Sequence, residues 1–461
     1  MDIQFRLCMC TKKKNRQKLS LKGLGLVNSN LITAVHAQDV RFPTSETSAG
    51  SDAMNVDPDY SASYVTLKTE QGACGYGLVF TIGRGNDLCC RAIEAMADRV
   101  LGYDFAEIQS DILGFYRYLQ ADSQLRWLGP EKGLMHMAAG GIMNAAWDLW
   151  ARLERKPLWR MLSDMTPEQF VACVDFRYLE NVISRSEALA LVQANEATKA
   201  ERIATLENEG YPAYTTSAGW LGYSDEQIES LVQNAIDQGF RHVKLKVGQS
   251  LADDIRRVGL VRKCVGDDVK IMVDANQVWE VDEAVQWVNS LADMRLWFIE
   301  EPTSPDDILG HHAIKSQIAP VLVATGEQCH NRVMFKQFIA HDAIDIVQID
   351  SCRLASVSEI LAVLLMAAKY KKPVCPHAGG VGLCEMVQHL SMVDYVRISA
   401  DMTDRVIEFV DHLHEHFEDP CQIINGAYVT PTQPGYSTKM FAESIEAFTF
   451  PGGSQWRRRS A

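Results

Sequence analysis

Arg241-His-Val-Lys-Leu-Lys-Val247 and, one unit later, Lys270-Ile-Met-Val-Asp-Ala-Asn276 decide the reading of this chain. Both are short apolar runs rich in β-branched residues, which read as buried strands. Lys244 and Lys246 stand two apart, so a strand points them to one face. Asp274 follows Lys246 by 28 residues, and two more such strands end in carboxylates, Leu296-Trp-Phe-Ile-Glu300-Glu-Pro302 and Val321-Leu-Val-Ala-Thr-Gly-Glu327. The steps from Asp274 to Glu300 and from Glu300 to Glu327 are 26 and 27 residues. That period fits one strand, one helix and two loops, the βαβ unit of a parallel sheet. Charges at the C-terminal ends of successive parallel strands are where barrel enzymes place their chemistry.

Working outward, strand candidates end near Gly219, Val247, Asn276, Pro302, Gln328, Asp350, His377 and Val410, with seven helical patterns between them, for example Ser224 to Gln238. Eight strands alternating with helices predict a closed barrel. Upstream, Leu31-Ile-Thr-Ala-Val-His36, Ser61 to Leu67 and Gly75 to Thr81 read as an antiparallel meander, with a long loop from Arg41 to Tyr60. Gly83-Arg-Gly85 lacks the third glycine of a dinucleotide fingerprint and reads as a strand-to-helix turn. Helices are expected over Asp87 to Leu101, Phe105 to Leu119 and Pro130 to Leu153, then a short strand at Val171-Ala-Cys-Val174 and a charged helix.

With 461 residues the chain exceeds one ordinary domain but suits a barrel plus a second domain. A formal charge of −14 argues against nucleic acid or an anionic membrane as partner, and no apolar run approaches the roughly 20 residues of a membrane span. Twelve cysteines include no Cys-x-x-Cys pair, which argues against a structural zinc site and for reduced thiols in an intracellular compartment. His412 and His416 are spaced i, i+4, but without a His-Glu-x-x-His pattern the cluster of His412, His414 and His416 reads as solvated or structural. Between Met1 and Gln38 seven Lys and Arg face one acid, Asp2, a leader-like or extension-like composition.

Asp274, Glu300 and Glu327, on three adjacent strand ends, would repel one another unless a hard divalent cation bound them, and an all-oxygen set suits Mg2+. Lys246, beside that metal and a second ammonium at Lys244, is expected to have a lowered pKa and to act as a base. Asp350 and His377 stand 27 apart on neighbouring strands, an arrangement that orients an imidazole and favours its protonated form, a general acid. Glu408 lies 31 further, on the eighth strand. Base, metal and acid together suit removal of a proton next to a carboxylate followed by loss of a leaving group.

Lys244-x-Lys246, Asp274-Ala-Asn276, Ile299-Glu-Glu-Pro302, Gly326-Glu327, Asp350 and His377 resemble the mandelate racemase-like branch of the enolase superfamily. Asp57-Pro-Asp-Tyr60, Tyr211 to Thr216, Pro302 to Asp307, Gln348 to Arg353 and Cys375 to Leu383 narrow the resemblance to its L-fuconate dehydratases, including an animal mitochondrial group. The resemblance implies an α/β fold, a (β/α)7β modified TIM barrel with an N-terminal α+β capping domain. Its implied division is a basic extension or leader over 1–30, the capping domain over 31–165, an insertion or linker over 166–210, the barrel over 211–417, and a C-terminal segment over 418–461 returning to the cap. It implies Lys246 as base, His377 with Asp350 as acid, Lys244 as a catalytic and substrate-binding cation, Asn276 and Glu408 as substrate contacts, and Mg2+ on Asp274, Glu300 and Glu327. The expected activity is Mg2+-dependent dehydration of an acid sugar, L-fuconate foremost, to a 2-keto-3-deoxy acid. The alternatives are an acid-sugar epimerase or racemase and a non-catalytic regulatory protein on the same scaffold. A small-molecule substrate is expected, with neither nucleic acid nor membrane as partner. A homo-oligomer and either a mitochondrial or a cytoplasmic location remain open.

Overall fold

The computed structural model describes residues 30–459, so the expected extension over 1–30 lies, but for its last residue, outside the described residues. Three antiparallel strands come first, β1 (Ile32–Arg41), β2 (Ser61–Thr69) and β3 (Cys74–Thr81), in that spatial order. β1 runs on past His36 because residues 34–41 pair in register with β2. Against this sheet lies the helix Gly133–Leu153, buried along nearly its whole length. The approach is close enough that a Cβ at Gly77 would stand 2.5 Å from Ala145 N and from Gly141 O. Small residues on both surfaces, Gly77 on the strand and Ala138-Ala-Gly-Gly141 on the helix, are what permit it.

Two local expectations are corrected. The helix predicted over 105–119 is two helices, Phe105–Ser110 and Ile112–Gln120, because the Asp111 side chain accepts from Gly114 N–H at 2.8 Å and starts the second where the first stops. Val171–Val174 is not a strand: Pro167–Ala172 is helical, with a Thr166/Gln169 capping box and Pro167 at the first helical position. A four-residue apolar run carries no period of its own, and the cap decides it. The charged stretch that follows is likewise two helices, Arg185–Ala194 and Lys199–Glu209.

The barrel begins with β4 (Tyr211–Thr215) and continues through β5 (His242–Lys246), β6 (Lys270–Asp274), β7 (Phe298–Glu300), β8 (Leu322–Thr325) and β9 (Ile346–Val347), each parallel to its neighbour. Closure comes from β10 (Ile407–Phe409), which pairs with β4 in parallel. At the seventh strand position, residues 373–377 make a single bridge, Val347 with Val374. Cys375 and His377 still donate to Val347 O and Ile349 O at 3.0 Å. Pro373 and Pro376 supply no N–H, which leaves the ladder too sparse for a full strand.

Seven helices alternate with these strands, from Asp225–Asp237 to Leu383–Val393. Side chains of Ser224, Ser250, Asp307, Asn331 and Ser356 cap five of them by accepting N–H groups. The barrel interior is layered: Tyr214, Met272, Phe298, Ala324, Ile346, Cys375 and Val406 form an apolar plug, and inward residues nearer the C-terminal ends of the strands are charged. A small hairpin, β11 (Ile423–Ile424) and β12 (Ala427–Tyr428), then pairs antiparallel with β4. The final residues reach β1, where Phe450 N–H donates to Asp39 O and Trp456 Nε1 to Arg41 O. The architecture is a (β/α)7β barrel with an α+β cap. Among the described residues, no helix is long and apolar enough to cross a membrane.

Candidate active site

Strand register assembles the charged layer. Lys246 on β5 stands beside Asp274 on β6, and Asp274 beside Glu300 on β7. Glu327 follows the end of β8, after Gly326 at φ 152°, where a Cβ would fall 2.0 Å from Gln348 O. Only glycine fits there, so that close contact sets the exit direction of Glu327. One ligand oxygen each from Asp274, Glu300 and Glu327 lie within 4.8 Å of one another.

The electrostatics of this cluster are unbalanced. Burial and then the charge of Asp274 push the Glu300 carboxyl up to about 8. Glu300 Oε1 and Glu301 Oε1 are buried without hydrogen-bond partners among the described residues, as is Asn276 Oδ1. Such groups are costly without compensation. A hard dication accepts oxygen donors in this number and chemistry, so the three carboxylates fit a magnesium-class ion.

Both lysines reach the same layer. Lys244 Nζ, fully buried, lies 2.7 Å from Glu300 Oε2, 2.9 Å from Glu408 Oε1 and 3.5 Å from Asp274 Oδ2. Lys246 Nζ lies 2.5 Å from Asp274 Oδ2 and 5.7 Å from the Trp220 ring centroid. The expected lowering of the Lys246 pKa is not what the geometry produces. Burial is the largest single influence and opposes its charge, but Asp274, with Asp52 and Glu327 behind it, holds the ammonium above its ordinary range. A cation bound to Asp274 would compete for that carboxylate and weaken this hold.

Across the cavity, His377 Nδ1 donates to Asp350 Oδ2 at 2.7 Å, and Nε2 lies 3.2 Å from Glu327 Oε2. Burial works against the imidazolium, but Glu327 and the Asp350 hydrogen bond overcome it and push the pKa up to about 10. Asp350 is anchored in turn, its Oδ1 accepting from Cys352 N at 2.7 Å and Arg353 N at 2.6 Å. Glu408 accepts from Ala378 and Gly379 N–H at 2.8 and 3.1 Å and from the Thr216 hydroxyl. Burial raises its pKa, but Lys244 and His377 together hold it well below the usual carboxylate range.

These groups meet in a cavity of ≈ 250 Å³ lined by Lys246, Asn276, Glu327, Asp350, His377 and Glu408. Lys244, Asp274 and Glu300 lie beneath it in the same layer. The 41–60 loop contributes Asp52, Asn55 and Tyr60 to the lining, and the barrel contributes Trp220 and Arg353. None of these five was singled out as a candidate from sequence. Nor was Gln348, whose Nε2 donates to Glu300 Oε2 at 2.7 Å. Its signal was present, since Gln348 precedes Asp350 by two and so shares its inward face. Tyr60 and Asp52 carry no such period, because a loop has none.

Residues 46–163 match the mandelate racemase / muconate lactonizing enzyme N-terminal domain, and residues 227–444 match the enolase C-terminal domain-like family. Mitochondrial enolase superfamily member 1 of Xenopus laevis is 52% identical over 93% of this chain and 97% of its own length. L-galactonate dehydratase of Hypocrea jecorina is 53% identical over 92% of this chain and 96% of its own length. The crystal structure of human mitochondrial enolase superfamily member 1 superimposes with a TM-score of 0.92 at 50% identity, covering 94% of this chain and 99% of that one. With its carboxylate row, its lysine pair and its Asp–His pair on the strand ends of a capped barrel, this chain belongs to the mandelate racemase-like branch of the enolase superfamily.

Proposed function

We propose that this chain is a magnesium-dependent dehydratase of a six-carbon aldonic acid, with L-fuconate and L-galactonate as the first substrates to test. The observation that carries the reading is that Lys246, the carboxylate set and the His377–Asp350 pair converge on one cavity. The likeness to an L-galactonate dehydratase supports the substrate class. L-Fuconate is L-galactonate without its 6-hydroxyl, so the two share every stereocentre at which the chemistry acts.

Asp274, Glu300 and Glu327 would hold Mg2+, which supplies positive charge where the substrate carboxylate gains electron density as the α-proton leaves. Lys246, as the neutral amine it can become when its hold by Asp274 is weakened, takes that proton from C2. His377, charged and oriented by Asp350, delivers a proton to the 3-hydroxyl as the C3–O bond breaks. The resulting enol becomes the 2-keto-3-deoxy acid when C3 gains a proton, which His377 is placed to deliver once it has taken a new one from solvent. Lys244 and Glu408, 2.9 Å apart, would fix the substrate's polar end together with Asn276. The name of the Xenopus laevis relative supports a mitochondrial location over a cytoplasmic one, which an import assay on the full chain tests.

Incubation with each aldonate and Mg2+, followed by NMR of the products, tests the reading. A 2-keto-3-deoxy acid formed only with metal supports it. An isomer formed without loss of water would assign an epimerase.

A further inference from the structure

Beneath Glu408, on the side away from the cavity, is a second cluster of ligating groups that the proposed chemistry does not use. Cys384 opens the helix Leu383–Val393, Glu385 follows it, His414 lies in the turn after β10, and Cys421 precedes β11. Among Cys384, His414 and Cys421, one ligand atom each lie within 4.8 Å of one another. His414 Nδ1 stands 3.5 Å from Cys421 Sγ and 2.6 Å from Glu385 Oε1. Both cysteines and Glu385 are buried, and both thiols are free.

Two further features point to a ligand. His414 Nε2 lies 2.6 Å from Val410 O, where its N–H donates, and the ring stacks on Phe409 at 5.2 Å. That arrangement turns Nδ1 inward and leaves the other nitrogen on a backbone carbonyl, as metal-ligating histidines have it. Glu385 Oε2 is buried and has no hydrogen-bond partner among the described residues. An imidazolium–carboxylate pair explains Nδ1 and Oε1. It explains neither the idle second oxygen nor the convergence of two buried thiols on the same point.

We propose that Cys384, His414, Cys421 and Glu385 form a structural site for a zinc-class divalent cation. Two sulfurs and one nitrogen already converge, and a Glu385 oxygen turned in from its contact with His414 Nδ1 would complete a four-coordinate set of the kind zinc prefers and magnesium does not. The ligands come from three separated parts of the chain, which is why no Cys-x-x-Cys spacing announces them. The site's purpose follows from its neighbours. Cys384 Sγ lies 3.4 Å from Ala378 O and 3.8 Å from Glu408 O, and Tyr428 Oη donates to Glu408 O. A cation there would tie the segment after His377, the end of β10 and the 414–421 turn into one support behind Glu408.

Cobalt(II) substitution tests this in the full chain, purified under reducing conditions and stripped with chelator. The expected result is one thiolate-ligated cobalt per chain, counted from a thiolate-to-cobalt charge-transfer band with tetrahedral visible bands and displaced by zinc. An all-oxygen site at Asp274, Glu300 and Glu327 gives no thiolate band, so Glu300→Gln should keep the signal. Cys421→Ser and Glu385→Gln should weaken or lose it while circular dichroism shows a folded protein. Folded wild-type protein that shows no thiolate band and retains no zinc would overturn the proposal. So would a Cys384–Cys421 disulfide that persists under reduction, since it would consume both sulfur ligands.

Discussion

Replacing Asp350 with asparagine tests how the acid is made. His377 sits at about 10 against an unperturbed value near 6.5. That difference is roughly 5 kcal/mol of net preference for the imidazolium, left after burial opposes Glu327, Asp350 and Glu408. In Asp350→Asn the amide oxygen is claimed by the N–H groups of Cys352 and Arg353, which now bond Oδ1 at 2.7 and 2.6 Å. The amide NH2 then faces His377 Nδ1, where the imidazolium needs an acceptor and finds a donor. The variant should therefore lower the His377 pKa, misorient the imidazole and lose about 10²- to 10⁴-fold in kcat, the usual worth of a general acid. The assay is kcat against pH at saturating Mg2+, with imidazole 15N shifts read on the same protein. The basic limb should move down by about one unit or more, since Asp350 is one of three carboxylates that favour the imidazolium. An unmoved limb and a kcat within about tenfold of the parent would refute the reasoning.

Glu300→Gln should abolish turnover and weaken Mg2+ binding by calorimetry, because it removes one of three anionic ligands, and full activity in excess chelator would contradict the ion's role. Gly326→Ala should destabilise the fold by about 1–3 kcal/mol or more in urea titration, since a Cβ at φ 152° meets Gln348 O at 2.0 Å. His389 is fully buried, and burial alone brings its pKa down to about 3. The unfolded chain, near 6.5, then binds the proton more readily, so the stability held above pH 6.5 is lost as pH falls toward 3. Between pH 6.5 and 4.5 that cost is about 2.7 kcal/mol at most, and His389→Gln should flatten the acid side of a stability–pH curve by a comparable amount.

The barrel was legible because its period is set by geometry. One strand plus one helix consumes nearly the same number of residues each time, and Asp274, Glu300 and Glu327 mark the beat. The seventh position was legible too, although Pro373 and Pro376 leave only a bridge there, because His377 keeps the phase. Apart from Gln348, what escaped lay off the period. Asp52 and Tyr60 enter the cavity from a loop, Val171–Val174 was too short to show a helical repeat, and Asp111 divides a helix by capping rather than by any break in hydrophobicity. The charge state of Lys246 escaped for another reason. It depends on a 2.5 Å contact with Asp274 that strand register creates and residue spacing alone does not reveal.

Proton NMR of L-galactonate and L-fuconate incubated in D2O with Mg2+ and wild type, Lys246→Ala or His377→Asn tests most directly whether Lys246 and His377 divide the chemistry. The wild type should yield a 2-keto-3-deoxy acid, with deuterium at C3. Lys246→Ala should yield neither product nor exchange at C2, and His377→Asn should yield no product while still exchanging the C2 proton. Normal dehydration by either variant, or C2 exchange in Lys246→Ala, would contradict the assignment.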